Sequence, residues 1–254
     1  MQKHVLLACM PKSGSTFLSN AIGALPTFTT GVGVPDWGRR EQELDDCCLS
    51  RIEDLNYVLQ LHVRYSNATK TMIEKHRLLP IILVRNIFDV IPSFIDHHRK
   101  ESLLHPMAFA PEGIQEWSFE ESAHFVTRMI IPWYFNFYMS WYGVPNKLVV
   151  KYEEWVFQPE IELLRICRYL NLEVTDEAIR NVISSVIGTS DRKNAVTPGR
   201  GRSLPSDCVE QIQKMAGFYH NVDFSDIGIG ERLNTRKKFT NSLMRRIKAI
   251  KTSV

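Results

Sequence analysis

The chain has 254 residues, of which 44% are hydrophobic, 23% are charged and 10% are aromatic, with a formal net charge of +3. This composition is typical of a folded globular protein with a substantial core, and no segment has the roughly 20 apolar residues of a membrane-spanning helix. The apolar run at 5–10 is too short for a secretory signal, so we expect a cytoplasmic protein. The five cysteines lack CxxC pairs and zinc-type Cys/His spacing, which indicates reduced thiols and no metal site.

Strands and helices alternate along the sequence. Four short, almost continuously apolar segments are predicted as strands: 4–10, 57–63, 80–85 and 147–152. The clearest helices are predicted at 119–143, 159–171, 175–187 and 205–219. Near-continuous apolar strands are typical of a parallel sheet covered on both faces. The pattern therefore predicts a single α/β domain over 1–231, with a central parallel sheet flanked by helices, followed by a basic tail at 232–254.

The first predicted strand leads into the sequence PKSGST, residues 11–16, and then into a helical segment. Backbone N–H groups at the start of a helix bind anions, and Ser13, Ser15 and Thr16 add hydroxyl donors while Lys12 adds a positive charge. The usual triphosphate loop has a second glycine and a lysine directly before Ser or Thr, and both are missing here. The segment predicts a site for a different phosphate compound, or else a plain strand–helix turn with Ser/Thr caps.

Polar residues also follow the other predicted strands. His62 follows the second strand, Arg85 the third, and Tyr152 and Glu153 the fourth. In open α/β sheets the functional site lies beyond the carboxyl ends of the strands. We therefore expect these side chains to meet the first loop at one edge of the sheet.

The segment ILVRNIFDVIPSF places Arg85 at a strand end and Ser93 near the start of the following helix. A forked guanidinium and a hydroxyl suit a second phosphate. Asp89 lies between them and is predicted to cap or brace the Arg85 turn.

Read together, PKSGSTF and ILVRNIFDVIPSF resemble the two nucleotide-binding signatures of the sulfotransferases that use 3′-phosphoadenosine 5′-phosphosulfate (PAPS). The order and spacing of the two motifs make the resemblance specific, and it extends from residue 4 to about residue 220. It implies the P-loop-nucleotide-hydrolase-like sulfotransferase fold. It also implies that the 5′-phosphosulfate is held by Lys12, Ser13, Gly14, Ser15 and Thr16. Arg85 and Ser93 would bind the 3′-phosphate.

Two later segments extend the resemblance. KYEEW is similar to a family segment that places Tyr152 near the nucleotide, whereas Glu153 is expected to be structural. The segment 191–207 is similar to the basic, glycine-containing segment that closes over the 3′-phosphate. Its spacing is irregular and admits two alignments. The candidates there are Arg192, Arg200 and Gly201.

The resemblance also suggests the catalytic groups. Sulfuryl transfer needs a base near neutral pH and a positive charge beside the leaving oxygen. His62 corresponds to the histidine of a family motif and is predicted to be the base, and Lys12 is predicted to stabilise the leaving 3′-phosphoadenosine 5′-phosphate (PAP). The family's lysine two positions before the histidine is Gln60 here, so Arg64 is a candidate for that charge. Because lysine and arginine supply positive charge, no metal is expected in the reaction.

The acceptor is not defined by the sequence, and a small molecule or a glycan or lipid acceptor is expected rather than a nucleic acid. The aromatic-rich region 117–142 is predicted to be mostly core, with a pocket lining as the alternative. His97 and His98 are secondary candidates to face the acceptor. Trp37 is a candidate to stack on adenine.

The tail at 232–254 has eight basic residues and no acidic one, so the rest of the chain is net acidic. Apolar residues recur in it at helix-like intervals. A weak contact with an anionic surface or acidic partner and a solvated helix packed through its apolar stripe are both compatible with this pattern.

Two other functions fit parts of the sequence. A P-loop-type small-molecule kinase also needs a phosphate loop, but the missing second glycine and the Arg85–Ser93 pair count against it. A non-catalytic protein of the same fold that binds PAP or another anion would account for Gln60 and for the irregular segment 191–202.

Overall fold

The computed structural model describes residues 2–35, 42–189 and 198–230. In this part of the chain, one sheet contains five strands: β1 (His4–Cys9), β2 (Phe28–Thr30), β3 (Asn56–Leu61), β4 (Leu78–Val84) and β5 (Leu148–Lys151). Their spatial order is β2-β3-β1-β4-β5, and every neighbouring pair is parallel. The predicted α/β class and the parallel sheet are confirmed.

Helices connect and flank the strands. They are α1 (Ser15–Gly23), α2 (Asp46–Ser50), α3 (Asn67–His76), α4 (Ile87–Lys100), α5 (Phe119–Phe125), α6 (Ile131–Tyr142), α7 (Tyr152–Phe157), α8 (Pro159–Tyr169), α9 (Asp176–Thr189) and α10 (Ser206–Gly217). A short 3₁₀ turn, Arg200–Ser203, precedes α10. No helix among the described residues is long and apolar enough to cross a membrane.

The core lies on both faces of the central strand β1, which is buried along its whole length. Leu6 and Ala8 face a layer built mainly by α4, α5 and α6, whereas Val5 and Leu7 face a layer built by α1, α8 and α9. The side chains alternate between the faces, as in any strand, and both faces are covered. This double burial explains why the strand is continuously apolar in sequence.

The predicted single helix at 119–143 is divided. A π-helical turn, Val126–Ile130, separates α5 from α6. Pro132 lies at the start of α6 and has no N–H to donate, so the regular α-helical hydrogen-bond ladder cannot continue across this point.

The aromatic region serves mainly as core, as favoured from the sequence. Five of its aromatic side chains are 6% exposed or less: Tyr134, Phe135, Phe137, Tyr138 and Trp141. Arg192, Trp37 and the tail at 232–254 lie outside the described residues, so the predictions for them stay predictions.

Candidate functional site

The loop between β1 and α1 turns sharply at two residues. Lys12 has φ 59° and Gly14 has φ 74°, both in the left-handed region. A Cβ at Gly14 would lie 2.8 Å from the ring of Tyr152, so only glycine allows this close approach. Gly14 offers no side-chain cap to the first amides of α1. The exposed Thr16 lies in the same first turn.

The two loop serines have different surroundings. Ser13 is buried, and its hydroxyl donates to the carbonyl oxygen of Met10, so this side chain stabilises the loop itself. Ser15 accepts a hydrogen bond of 3.0 Å from the side-chain amide of Gln60. Gln60 therefore supports the loop from β3, at the position where the family resemblance leads one to expect a lysine.

Arg85 joins three of the predicted site elements. Its guanidinium donates to the carbonyl oxygen of Lys12 over 2.5 Å and to the Ser93 hydroxyl over 3.3 Å. It also lies over the ring of Tyr152, 4.2 Å from the ring centre. Arg85 is only 5% exposed, and its Nε has no hydrogen-bond partner among the described residues. The predicted meeting of the first loop, Arg85, Ser93 and Tyr152 is thus present.

Asp89 was predicted to cap or brace the Arg85 turn, and this prediction is wrong, because Asp89 has other partners. Its carboxylate accepts from the backbone N–H groups of Gly199 at 2.6 Å and Gly201 at 2.7 Å, so it braces the 198–203 loop rather than the Arg85 turn. A Cβ at Gly201 would lie 2.5 Å from the Cβ of Phe88, which explains the glycine. The loop is therefore held directly on the first turn of α4.

Arg200 lies in this loop and pairs with Asp96 of α4 at 2.7 Å. Asp96 is three residues after Ser93, so the Arg200–Asp96 ion pair lies on nearly the same side of α4 as Ser93. Arg200 and Gly201 thus approach the helix that carries Ser93.

His62 lies directly after β3 and is partly buried. Its Nδ1 is 2.9 Å from the carbonyl oxygen of Cys9, which can only accept, so Nδ1 carries the proton and Nε2 keeps its lone pair. The backbone N–H of His62 donates to the Gln42 side chain over 2.7 Å. Burial lowers the pKa of His62, and the Cys9 carbonyl offsets this only in part. The imidazole is therefore neutral at pH 7 and able to accept a proton at Nε2.

Lys12 points to the C-terminal part of α4. Its Nζ lies 3.2 Å from Glu101 Oε2 and 3.4 Å from His97 Nδ1, and the last two atoms are 2.7 Å apart. Burial and the nearby Lys12 charge lower the pKa of His97. His97 therefore lies beside the Lys12 ammonium. Sequence reasoning missed Glu101, although its i,i+4 spacing from His97 on a helix was a usable signal.

The side chains of His98 and Glu153 make contacts within the fold. His98 is 3% exposed and lies against His105, with 3.1 Å between the two Nε2 atoms, so it does not face an open pocket. Burial lowers the pKa of His98 to about 4. Glu153 accepts a 3.0 Å hydrogen bond from the N–H of Asn86 and anchors the start of α4, in line with the structural role expected for it.

A family model described as sulfotransferase domain matches residues 2–201. No curated protein sequence matches the chain significantly. The structure is similar to a mouse sulfotransferase in complex with PAP, with TM-score 0.63 and 16% identity over 100% of this chain and 89% of that chain.

Two structures of retinol dehydratase are also similar. The complex with androsterone and inactive cofactor PAP has TM-score 0.58 and 13% identity, over 87% of this chain and 81% of that chain. The complex with retinol and PAP has TM-score 0.58 and 14% identity, over 88% of this chain and 83% of that chain. At these identities the structural likeness concerns the fold, whereas the family model covers most of the chain itself. The chain belongs to the sulfotransferase domain family.

Proposed function

We propose that this protein transfers the sulfuryl group of PAPS to a hydroxyl or amine of a small-molecule, glycan or lipid acceptor and releases PAP. The observation that carries the proposal is the environment of Arg85. Its guanidinium is buried and contacts a carbonyl, a hydroxyl and an aromatic ring, and no ion pair to it occurs among the described residues. The nearby Glu153 carboxylate interacts with this charge electrostatically without forming an ion pair, so the buried guanidinium can still bind an anion directly.

The residues present fit a nucleotide with two separated anionic groups. The backbone amides of Ser15 and Thr16 at the start of α1, with Lys12, suit the 5′-phosphosulfate. The guanidinium groups of Arg85 and Arg200 and the hydroxyl of Ser93 suit the 3′-phosphate, because forked N–H donors and a hydroxyl match its oxygens. The PAP complexes of the similar structures agree with this choice of nucleotide.

His62 is proposed as the general base. Its Nε2 would take the proton of the acceptor while the acceptor oxygen or nitrogen forms a bond to sulfur. The Cys9 carbonyl holds the proton on Nδ1 and stabilises the imidazolium that results. The neutral resting state follows from the lowered pKa.

Lys12 is proposed to stabilise the leaving group. As the bond between sulfur and the bridging oxygen breaks, its electron pair stays on the phosphate oxygen of PAP, and an ammonium nearby neutralises the new charge. Lys12 would exchange its contact with Glu101 for this oxygen. With Arg85 and Arg200 also present, the proposed reaction uses protein cations and includes no metal.

Transfer of labelled sulfuryl from PAPS to a panel of phenols, alcohols, amines and sugars tests the proposal. We expect product with at least one class, and a loss of about 10²- to 10⁴-fold in His62→Ala with PAP binding retained. His220→Ala is the matched control, because His220 is an exposed histidine outside the site. PAP binding without transfer to any acceptor would favour the non-catalytic alternative. Magnesium-dependent transfer from ATP instead of PAPS would favour the kinase.

A further inference from the structure

A second cluster of ligand-type side chains lies between α5 and α10. It consists of His124 on α5 and of Asp207 and Cys208 in the first turn of α10, and we call it the α5–α10 cluster. Its three ligand atoms, one from each residue, lie within 4.8 Å of one another. The Nδ1 of His124 is 3.4 Å from the Cys208 sulfur and 3.5 Å from an Asp207 oxygen. We propose that this cluster binds one Zn²⁺ ion.

The observed distances agree with a tetrahedral zinc site. Zinc lies about 2.3 Å from a thiolate sulfur and about 2.0–2.2 Å from nitrogen or oxygen ligands. Tetrahedral angles then place the nitrogen about 3.5 Å from the sulfur and about 3.4 Å from the oxygen. The two distances from the His124 nitrogen therefore match the site, and the Cys208 sulfur and the Asp207 ligand oxygen lie within 4.8 Å of each other.

The chemistry of the donor set points to zinc. Imidazole, thiolate and carboxylate are the three ligand types that Zn²⁺ takes in proteins. With three protein ligands, the fourth position of a tetrahedral zinc ion is left for a water molecule. His124 is partly buried and Cys208 fully buried, whereas Asp207 is exposed, so the open position faces the outside.

The surroundings of the cluster support the same assignment. Glu120 Oε1 lies 4.0 Å from Nε2 of His124, too far for a hydrogen bond, but its negative charge favours the proton on Nε2 and leaves the lone pair of Nδ1 for the cluster. Glu120 therefore acts on the ring and is not counted as a ligand.

Thr127 provides an independent observation. Its hydroxyl is fully buried and lies against the Cys208 thiol, a weak acceptor to which it can donate. A zinc-bound thiolate accepts hydrogen bonds, so it would satisfy this donor. Thr127 belongs to the π-helical turn Val126–Ile130, and such turns occur frequently at functional sites.

The ion would connect two distant parts of the sequence. Helix α10 directly follows the 198–203 loop that carries Arg200, whereas α5 lies about 80 residues earlier in the chain. A zinc ion at this point would stabilise the docking of α10. Since the cluster contains none of the residues proposed for sulfuryl transfer, its test does not depend on that function.

Cobalt titration of the full chain, after treatment with a chelator, tests the site. Co²⁺ replaces Zn²⁺ in tetrahedral sites and shows a thiolate charge-transfer absorption. We expect a band that saturates at one equivalent, is displaced by Zn²⁺, and is lost in Cys208→Ser and His124→Ala. Cys47→Ser, which removes an exposed thiol, should keep the band. A band that is absent, or that is lost in Cys47→Ser and kept in Cys208→Ser, would overturn the proposal.

Thermal unfolding provides a second readout that does not need the buried cysteine to be changed. Zn²⁺ should raise the unfolding midpoint of the wild type and have little effect on Asp207→Asn, which alters only an exposed side chain. Thr127→Val should weaken zinc binding roughly 10- to 100-fold, the usual effect of removing a group that supports a metal ligand. An equal zinc effect on the wild type and Asp207→Asn would show that the cluster is only a Cys–His–Asp hydrogen-bond group.

Discussion

The guanidinium of Arg85 donates a 2.5 Å hydrogen bond to the carbonyl oxygen of Lys12 and so connects the end of β4 to the loop after β1. The two residues are 73 positions apart in sequence. The same guanidinium reaches Ser93 and the ring of Tyr152. A change at Arg85 therefore affects both proposed phosphate sites at once.

Arg85→Lys is expected to weaken PAP binding by about 10- to 100-fold. A lysine keeps the charge but cannot make the forked set of hydrogen bonds, and bonds to charged groups are worth about 1.5–3 kcal/mol. Isothermal titration with PAP measures the change. Arg99→Lys is the matched control, because Arg99 is exposed and contacts only the Trp117 carbonyl among its described hydrogen bonds. Equal PAP affinity in both variants would contradict the 3′-phosphate assignment.

Gly201→Ala is expected to reduce PAP affinity and to destabilise the fold by about 1–3 kcal/mol, the usual cost of overpacking. The new Cβ would lie 2.5 Å from the Cβ of Phe88, so the loop must move away from α4 and from the Asp89 carboxylate. Chemical denaturation and PAP titration measure the two effects. Gly217→Ala is the control, because a Cβ there meets nothing within 4 Å. Similar behaviour of the two variants would argue against a closely docked 198–203 loop.

Transfer activity is expected to fall on acidification, with a midpoint below the ordinary histidine pKa of 6.5. Burial lowers the pKa of His62, and a base acts only when it is neutral, so kcat/KM should rise with pH through this pKa and be level above it. The residual activity of His62→Ala should lack this acid limb.

His97 is the comparison for the pH experiment, because its pKa is lowered as well. The acid limb should persist in His97→Asn. If the limb is lost there and kept in His62→Ala, His97 is the base. His62 also affects stability: the unfolded chain binds its proton at a higher pH than the folded chain, so stability should decrease as the pH falls below 6.5.

Glu101→Gln is expected to raise PAPS affinity by about two- to fivefold. The substitution removes a negative charge 3.2 Å from the Lys12 ammonium, and that charge competes with the phosphosulfate for Lys12. The gain is small because the Glu101 side chain is 40% exposed and solvent screens the pair. Binding measured at low and high salt should show the gain shrinking as salt rises. A weaker affinity would mean that Glu101 holds Lys12 in its working position.

The sequence predicted the elements whose signal is local. Strand β1 is continuously apolar because both of its faces are buried, and this pattern is visible in the sequence of the strand alone. Strand β2 was missed, since it has three residues at the sheet edge and two of them are exposed threonines. The break in the helix at 119–143 was signalled only by Pro132, and a proline in a helical pattern does not specify a π-helical turn.

By itself, the sequence determined the parallel sheet, the position of the first loop, and the placement of His62 and Arg85 at strand ends, because these depend on patterns within about ten residues. The tertiary structure decided which groups pair. Asp89 braces Gly199 and Gly201, which are 110 and 112 residues away, and His124 contacts Cys208 across 84 residues. Such contacts depend on how helices dock on the sheet, and no local pattern of residues records that docking.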